Sequence, residues 1–156
     1  MKLILLTVGE TKTGFFKLAE LEYFKRIQHY GRIEKQWVKP EPIRTGLNSG
    51  IIKTREGRRL LQAIPKSCHV IALDRSGIQW SSEELAVQLS KWQNLGYQQV
   101  ALIIGGALGL SDEVLKHSML RVSLSKMTFP HEMVPMIILE QIYRAYSILR
   151  GEQYHK

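Results

Sequence analysis

The sequence contains a single cysteine, Cys68, among its 156 residues. One thiol excludes an internal disulfide, and it also excludes a cysteine-based zinc cluster and a C-x-x-C redox motif. Such a chain fits a reducing compartment. We therefore expect a cytoplasmic protein without a structural metal.

Long apolar runs are also missing. The apolar start Leu3 to Leu6 is too short for the core of a signal peptide and far too short to span a bilayer. No linker, internal repeat or low-complexity tract divides the chain. We expect one domain over residues 1–156, with a core large enough to fold without disulfides.

Acidic residues are scarce relative to basic ones. There are 14 acidic against 22 basic residues, which gives a net charge of +8. This excess suits a polyanionic partner, although a merely soluble basic surface explains the charge equally well.

The common nucleotide-binding motifs are absent. The glycines Gly105, Gly106 and Gly109 form G-G-x-x-G rather than G-x-G-x-x-G, and no acidic residue follows about twenty positions later. A nicotinamide-dependent dehydrogenase is therefore disfavoured. Since no G-K-[ST] follows the glycines, a P-loop is excluded. Taken alone, these glycines indicate only a tight turn.

Short apolar runs alternate with helical patterns along the chain. Strands are expected at Lys2–Val8, Arg32–Val38, His69–Leu73, Val100–Ile104 and Arg121–Leu124. This alternation predicts an α/β sandwich built on a parallel sheet that is buried on both faces. In such sheets ligands bind beyond the carboxyl ends of the strands. The turn Asp74–Gly77 and the glycine loop are both expected at that edge.

The regions between the strands carry helix signals. A first helix follows the apolar spacing from Phe16 to Tyr30, and Ser81 with Glu84 forms a capping box for another. The segment Thr45–Gly50 is expected to be a loop. It precedes a basic helix over Ile51–Ile64.

Three arginines of that basic helix, Arg55, Arg58 and Arg59, share one face. Taken alone, the face is best explained as solvated. The net charge, together with the resemblance described below, favours contact with phosphate.

The last helix, expected from near His131, is apolar around most of its circumference. Such a helix needs cover on two sides, which its own sheet and a second copy of the chain can supply. A narrow polar line remains, and Glu140 and Arg144 on it can pair.

The stretches KLILLTVG, IIGGALGL, LSKMTFPHEM and LEQIYRAYSILRGEQYHK together resemble the ribosomal RNA large subunit methyltransferase H family. The resemblance runs from end to end. It implies a SPOUT-class fold with a C-terminal trefoil knot and a homodimer formed through the last helix. It also implies methylation of N3 of a pseudouridine in 23S rRNA, on assembled ribosomes, with S-adenosylmethionine as the methyl donor.

The same resemblance assigns residues to roles. The methyl donor is expected against the residues Leu73, Gly105, Leu124, Ser125, Lys126, Met127, Thr128 and Phe129. RNA contacts are expected from Arg55, Arg58, Arg59, Arg144 and Lys156. Pro135 stands where the family usually has arginine. It carries no charge, so one RNA or cofactor contact of the family is not expected here.

The tail is expected to reach the cofactor of the partner subunit. The N3 proton of pseudouridine must leave, and His155 is the side chain whose titration range best suits a base, with Tyr154 beside it. Water is the alternative acceptor. His131 is expected to anchor the loop rather than act as a base. A noncatalytic RNA-binding module of the ribosome, which needs no cofactor, is the alternative to the enzyme.

Overall fold

A computed structural model describes residues 1–43 and 48–156. Five strands alternate with five helices along the chain. The elements are β1 Lys2–Val8, α1 Gly14–Gln28, β2 Arg32–Val38, α2 Ser49–Ala63, β3 His69–Gln79, α3 Ser82–Asn94, β4 Gln99–Ile104, α4 Asp112–His117, β5 Leu120–Ser123 and α5 Val134–Leu149.

All the strand pairs are parallel, in the order β2-β1-β4-β3-β5. The central strand β4 therefore lies between β1 and β3. It pairs with β1 although β2 and β3 come between them along the chain. The α/β class and the parallel sheet are confirmed.

Alternate residues of the central strands feed two separate cores. On one face, Leu3, Leu5, Leu102 and Ile104 pack with residues of α3 and α5. On the other face, Ile4, Leu6, Ala101 and Ile103 pack with residues of α2 and α4. Both faces of the sheet are thus buried, as an unbroken apolar run predicts.

The end of β3 differs from the prediction. The strand continues to Gln79, and Leu73 and Ile78 both pair with Val122 of β5, so residues 74–77 bulge out between them. The strand can resume because Gly77 has no side chain: a Cβ there would lie 2.5 Å from the backbone of Arg121. The predicted turn is therefore a bulge inside a longer strand.

Other boundaries also shift. Helix α4 was not expected at all, since its six residues are too few to show a period. Helix α5 begins at Val134, three residues after His131. Gly50 lies inside α2, whose N-cap is Asn48. The rest of the predicted loop Thr45–Gly50 falls largely on residues 44–47, outside the described residues.

Helix α5 is covered by its own chain on three sides, by the sheet and by the flanking helices α1 and α3. None of the helices within residues 1–43 and 48–156 is long and apolar enough to cross a membrane.

Candidate active site

Three predicted methyl-donor segments lie next to one another, at the carboxyl ends of β4 and β5 and at the bulge of β3. Leu73 of β3 pairs with Ile104 of β4 on one side and with Val122 of β5 on the other. Gly105 follows Ile104 directly, and Leu124 follows the end of β5. The parallel order of the strands therefore places Leu73, Gly105 and Leu124 along one edge of the sheet.

The backbone of the G-G-x-x-G loop requires glycine at positions 105 and 109. A Cβ on Gly105 would lie 2.7 Å from the carbonyl carbon of Gly109. Gly109 has φ of +85°, and its N–H donates to the carbonyl of Gly106 at 2.9 Å. The loop thus folds tightly on itself. A bulky residue at position 105 would distort the loop before it met any ligand.

The segment Leu124–Phe129 connects β5 to α5. Ser123 Oγ donates to the carbonyl of Ser125 at 2.9 Å, and the N–H of Met127 donates to Ser125 Oγ at 3.0 Å. The amides of Lys126, Thr128 and Phe129 find no partner in the part of the chain that the structure describes. Unused main-chain groups of this kind can hold an adenine edge.

Glu132 anchors the end of this connection to α1. Its carboxylate accepts from the N–H of Lys12 at 3.1 Å and from the N–H of Thr13 at 3.3 Å, and it also bonds Thr13 Oγ1. Helix α1 has no acidic residue in its first turn, and Glu132 places a negative charge at this helix N-terminus instead. These hydrogen bonds, that of Thr13 first, lower the pKa of Glu132.

His131 was expected to be the anchor, but its neighbour Glu132 makes the anchoring contacts. His131 instead lines two adjacent cavities, the smaller of which also includes Gly105 and Pro135. Pro135 is buried in the first turn of α5, where proline is tolerated because the N–H is unused.

The C-terminal tail folds back on α5. The ring of Tyr154 lies 4.6 Å from that of Tyr143 and under the guanidinium of Arg144 at 4.7 Å. Its hydroxyl donates to Glu140 Oε1 at 3.1 Å. Burial, together with hydrogen bonds to Tyr23 and Glu140, raises the pKa of Tyr154. At neutral pH Tyr154 is therefore a hydrogen-bond donor and not a base.

The two partners of His155 define its tautomer. Nδ1 lies 3.4 Å from Nη1 of Arg144, and Nε2 lies 2.9 Å from Oε1 of Glu83. Because a guanidinium can only donate, Nδ1 accepts and Nε2 carries the proton. Hydrogen bonds to Ser81, to its own amide and to His155 lower the pKa of Glu83 to about 2. The ring thus keeps one basic nitrogen, which faces Arg144.

Arg144 organises the tail from the middle of α5. Its Nε donates to Glu140 Oε1 at 3.0 Å, which confirms the predicted pair. The same guanidinium contacts Tyr154 and His155, so its hydrogen bonds are used within the chain. Lys156, the last residue, is exposed. Between Arg144 and Lys156, therefore, Lys156 alone can approach a phosphate without breaking contacts within the chain.

The three arginines on the basic face of α2 differ in their contacts. Arg55 and Arg59 both pair with Glu41, and Arg59 also donates to the carbonyl of Lys39 at 2.8 Å. Arg59 is the main cause that lowers the pKa of Glu41. Arg58 is exposed and has no carboxylate partner among the described residues.

The sequence reasoning did not identify Glu132, Glu83 and Glu41. Glu132 lies 119 residues from Thr13, and Glu83 lies 72 residues from His155, so no local spacing signals either contact. No group of three or more histidine, cysteine or acidic side chains within the described ranges could hold a metal ion.

Comparison with known proteins gives a consistent result. The family model described as "Predicted SPOUT methyltransferase" matches residues 1–155. A protein of Desulfotalea psychrophila named ribosomal RNA large subunit methyltransferase H is 43% identical over 157 residues, which cover 100% of both chains. A protein of the same name from Bacillus thuringiensis is 42% identical over 159 residues, again with 100% coverage of both.

A solved structure also shares the fold. It is a probable methylase family protein from Haemophilus influenzae Rd KW20, with a TM-score of 0.54 and 12% sequence identity. The match covers 99% of this chain and 70% of that one. At this identity the likeness shows the fold alone.

Proposed function

The chain belongs to the SPOUT methyltransferases and, among them, to the ribosomal RNA large subunit methyltransferase H family, and on that premise we propose that it methylates N3 of a pseudouridine in 23S rRNA. The end-to-end likeness to proteins of that name carries the proposal. A methyltransferase of this family needs a methyl donor, and we assign that role to S-adenosylmethionine.

S-adenosylmethionine supplies an electrophilic methyl group when it is bound. The chain's own residues position this methyl donor. The edge formed by Leu73, Gly105 and Leu124 gives an apolar surface. The amides of Lys126, Thr128 and Phe129, unpaired within the described residues, offer hydrogen bonds to a purine edge. These residues suit an adenosyl group, because adenine needs an apolar slot with a few main-chain partners. Holding the donor in line with the nucleophile is then mainly a matter of orientation.

The N3 nitrogen of pseudouridine carries a proton that must leave. We assign its removal to Nδ1 of His155, which accepts from Arg144 in the structure and becomes available to the proton once Arg144 moves to an RNA phosphate. Glu83 accepts from the opposite nitrogen and keeps the imidazole in the required tautomer. Tyr154, which stays protonated, donates a hydrogen bond rather than taking a proton.

The tail serves the partner subunit in this proposal. Phe15, Leu18 and Leu21 form an exposed apolar stripe along α1, beside α5. Such a stripe supports a homodimer in which α5 and α1 of two copies meet. The single domain, the trefoil knot and a cytoplasmic location, where ribosomes are found, belong to the same proposal. Light scattering that gives a monomer at micromolar concentration would contradict the homodimer.

RNA contact is assigned to Arg58 and Lys156 directly. Arg55, Arg59 and Arg144 can join them once their carboxylate partners release them. A small basic surface recognises phosphates and shape more readily than base sequence. The assembled ribosome, which presents one fixed shape, is therefore the proposed substrate.

The test incubates the protein and labelled methyl donor with free 23S rRNA, large subunits and whole ribosomes that lack the modification. Mass spectrometry then locates the methyl group. Methyl on a pseudouridine N3 of whole ribosomes supports the proposal, and methyl on transfer RNA alone contradicts it. Ribosome binding without methyl transfer or donor binding would identify the noncatalytic module instead.

A further inference from the structure

The larger of the two cavities lined by His131 lies beside the glycine loop. It has a volume of about 440 Å³ and is lined by the ends of β1 and β2, by α2, by residues 106–108 and by the connection before α5. Leu73, Gly105 and Leu124–Phe129 do not line it. The methyl donor in the proposed position therefore leaves this cavity open.

Glu56 of α2 gives the cavity a hydrogen-bond acceptor. The residue is only 5% exposed. Its Oε1 accepts from the N–H of Glu41 at 2.9 Å, and its buried Oε2 has no partner within residues 1–43 and 48–156. A buried acceptor without a donor is costly. A ligand that brings an N–H group removes that cost.

The chain makes room for this carboxylate. A Cβ on Gly106 would lie 2.9 Å from Glu56 Oε2 and 3.2 Å from Cγ1 of Val8. Glycine at position 106 thus allows the acidic group to lie against the loop. Burial of the carboxyl group raises the pKa of Glu56.

Trp37 of β2 supplies a flat surface at the same cavity. Its side chain is 53% exposed, whereas Trp92 is buried. Leu108 and Ile52 are among the other apolar residues of the lining. An exposed indole next to a buried acceptor is the pairing used to hold an unstacked base, by its face and by its edge.

The charges at this cavity decide which part of a nucleotide it takes. Glu10, Glu41 and Glu132 line it along with Glu56, against Lys12 and His131. Arg55 and Arg59 offset the charge of Glu41, and Lys17 offsets that of Glu10. Glu56 and Glu132 remain, and these two carboxyl groups disfavour a phosphate and attract a ring that carries an amino group. The cavity therefore suits a base and not the backbone.

We propose that this cavity is a base subsite, which takes an unstacked purine or cytosine of the RNA, with its face on Trp37 and its amino or ring N–H group donated to Glu56 Oε2. The inference rests on the proposed RNA substrate and extends it. The base concerned is distinct from the methylated pseudouridine, whose site is assigned to the tail. The same chemistry is also present in the adenine of the free methyl donor, and the experiment separates the two sources.

Steady-state methylation of ribosomes is measured for Trp37→Ala, Trp37→Phe and Glu56→Gln. Trp37→Ala should raise KM about 5- to 150-fold, the loss of one base–aromatic stack, with kcat retained. Trp37→Phe keeps an aromatic face and should recover most of the affinity. Glu56→Gln keeps an oxygen for the Glu41 amide but presents an NH₂ group to the base, so its KM should also rise.

Val87→Ala, at an exposed position of α3, is the matched surface control and should leave KM unchanged. Calorimetry with S-adenosylmethionine should give the same affinity for every variant. A drop in that affinity in Trp37→Ala would assign the cavity to the methyl donor and overturn the inference. An unchanged KM in Trp37→Ala, or an equal loss in Trp37→Phe, would also overturn it.

The proposed function and this inference fail separately. If wild-type protein methylates no ribosomal pseudouridine, the proposed function is wrong whatever the variants do. If wild type is active, the Trp37 variants test the subsite alone. Ultraviolet cross-linking of bound ribosomes gives a second measurement: an RNA adduct is expected on Trp37, and an adduct only elsewhere contradicts the subsite.

Discussion

Replacing Gly57 by alanine tests the packing of α2 against α4. Gly57 is buried in the middle of α2. A Cβ added there would lie 2.1 Å from Oγ and 2.9 Å from Cβ of Ser111. Ser111 is the N-cap of α4 and accepts from the N–H of Val114 at 3.4 Å. The new methyl group therefore displaces a helix cap.

Two effects oppose each other in this variant. Alanine is better than glycine in a helix interior by about 1 kcal/mol. Overpacking costs about 1–3 kcal/mol, and disturbing the cap costs about 0.5–2 kcal/mol. The steric effect is larger, so we expect a net loss of about 0.5–4 kcal/mol in the free energy of unfolding.

The assay is urea unfolding followed by circular dichroism at one protein concentration, where a change in midpoint at constant slope reports stability. Gly14→Ala is the control. No heavy atom lies within 4 Å of a Cβ at that position, so this variant should be neutral or slightly stabilising.

The double variant Gly57→Ala with Ser111→Gly isolates the contact. Ser111→Gly removes both crowded atoms, and glycine is a tolerable N-cap that costs only a few tenths of a kcal/mol. Most of the lost stability should therefore return. A higher midpoint for Gly57→Ala alone, or no recovery in the double variant, would refute the reasoning.

Three further predictions concern the site. Glu132→Gln should lower the free energy of unfolding by about 0.3–1 kcal/mol at neutral pH, the contribution of a negative charge at a helix N-terminus. Because the fold lowers the pKa of Glu132, its contribution to the free energy of unfolding is present above the unfolded pKa of about 4.3 and is lost as pH falls. Wild type and variant should therefore converge in stability when urea unfolding is repeated at acid pH. A stability difference that stays constant with pH would contradict this. Arg58→Ala should weaken 23S rRNA binding and reduce the slope of log affinity against log salt by about one; an unchanged slope means no phosphate contact. Deleting Tyr154–Lys156 should leave donor affinity by calorimetry nearly intact yet lower kcat by about 10²-fold, and an equal loss of both would place the tail at the donor.

The candidate site was only partly accessible from the sequence. The glycine loop and the connection to α5 were expected at one edge, and strand pairing places Leu73, Gly105 and Leu124 there. The contacts that hold the predicted RNA-binding arginines within the chain were not expected from the sequence. Glu41 holds Arg55 and Arg59, and the contacts of Arg144 are with its own tail. Each of these contacts depends on where a distant segment folds.

The sequence by itself determined the local structure. Unbroken apolar runs specify strands buried on two faces, because each alternate residue needs its own core. The Ser81–Glu84 capping box and the pairs Glu22–Arg26 and Glu140–Arg144 form as their spacing predicts. These interactions join residues within one turn of helix, so their geometry follows from the backbone period alone.

Only the tertiary structure decided which segments meet. The order that inserts β4 between β1 and β3 brings Glu132 to the start of α1 and opens the cavity between Trp37 and Glu56. It also sets Gly57 against Ser111 and Gly77 against β5. Apolar periodicity states which face of an element is buried but not what covers it, and these close approaches therefore exist only once the strands have been ordered.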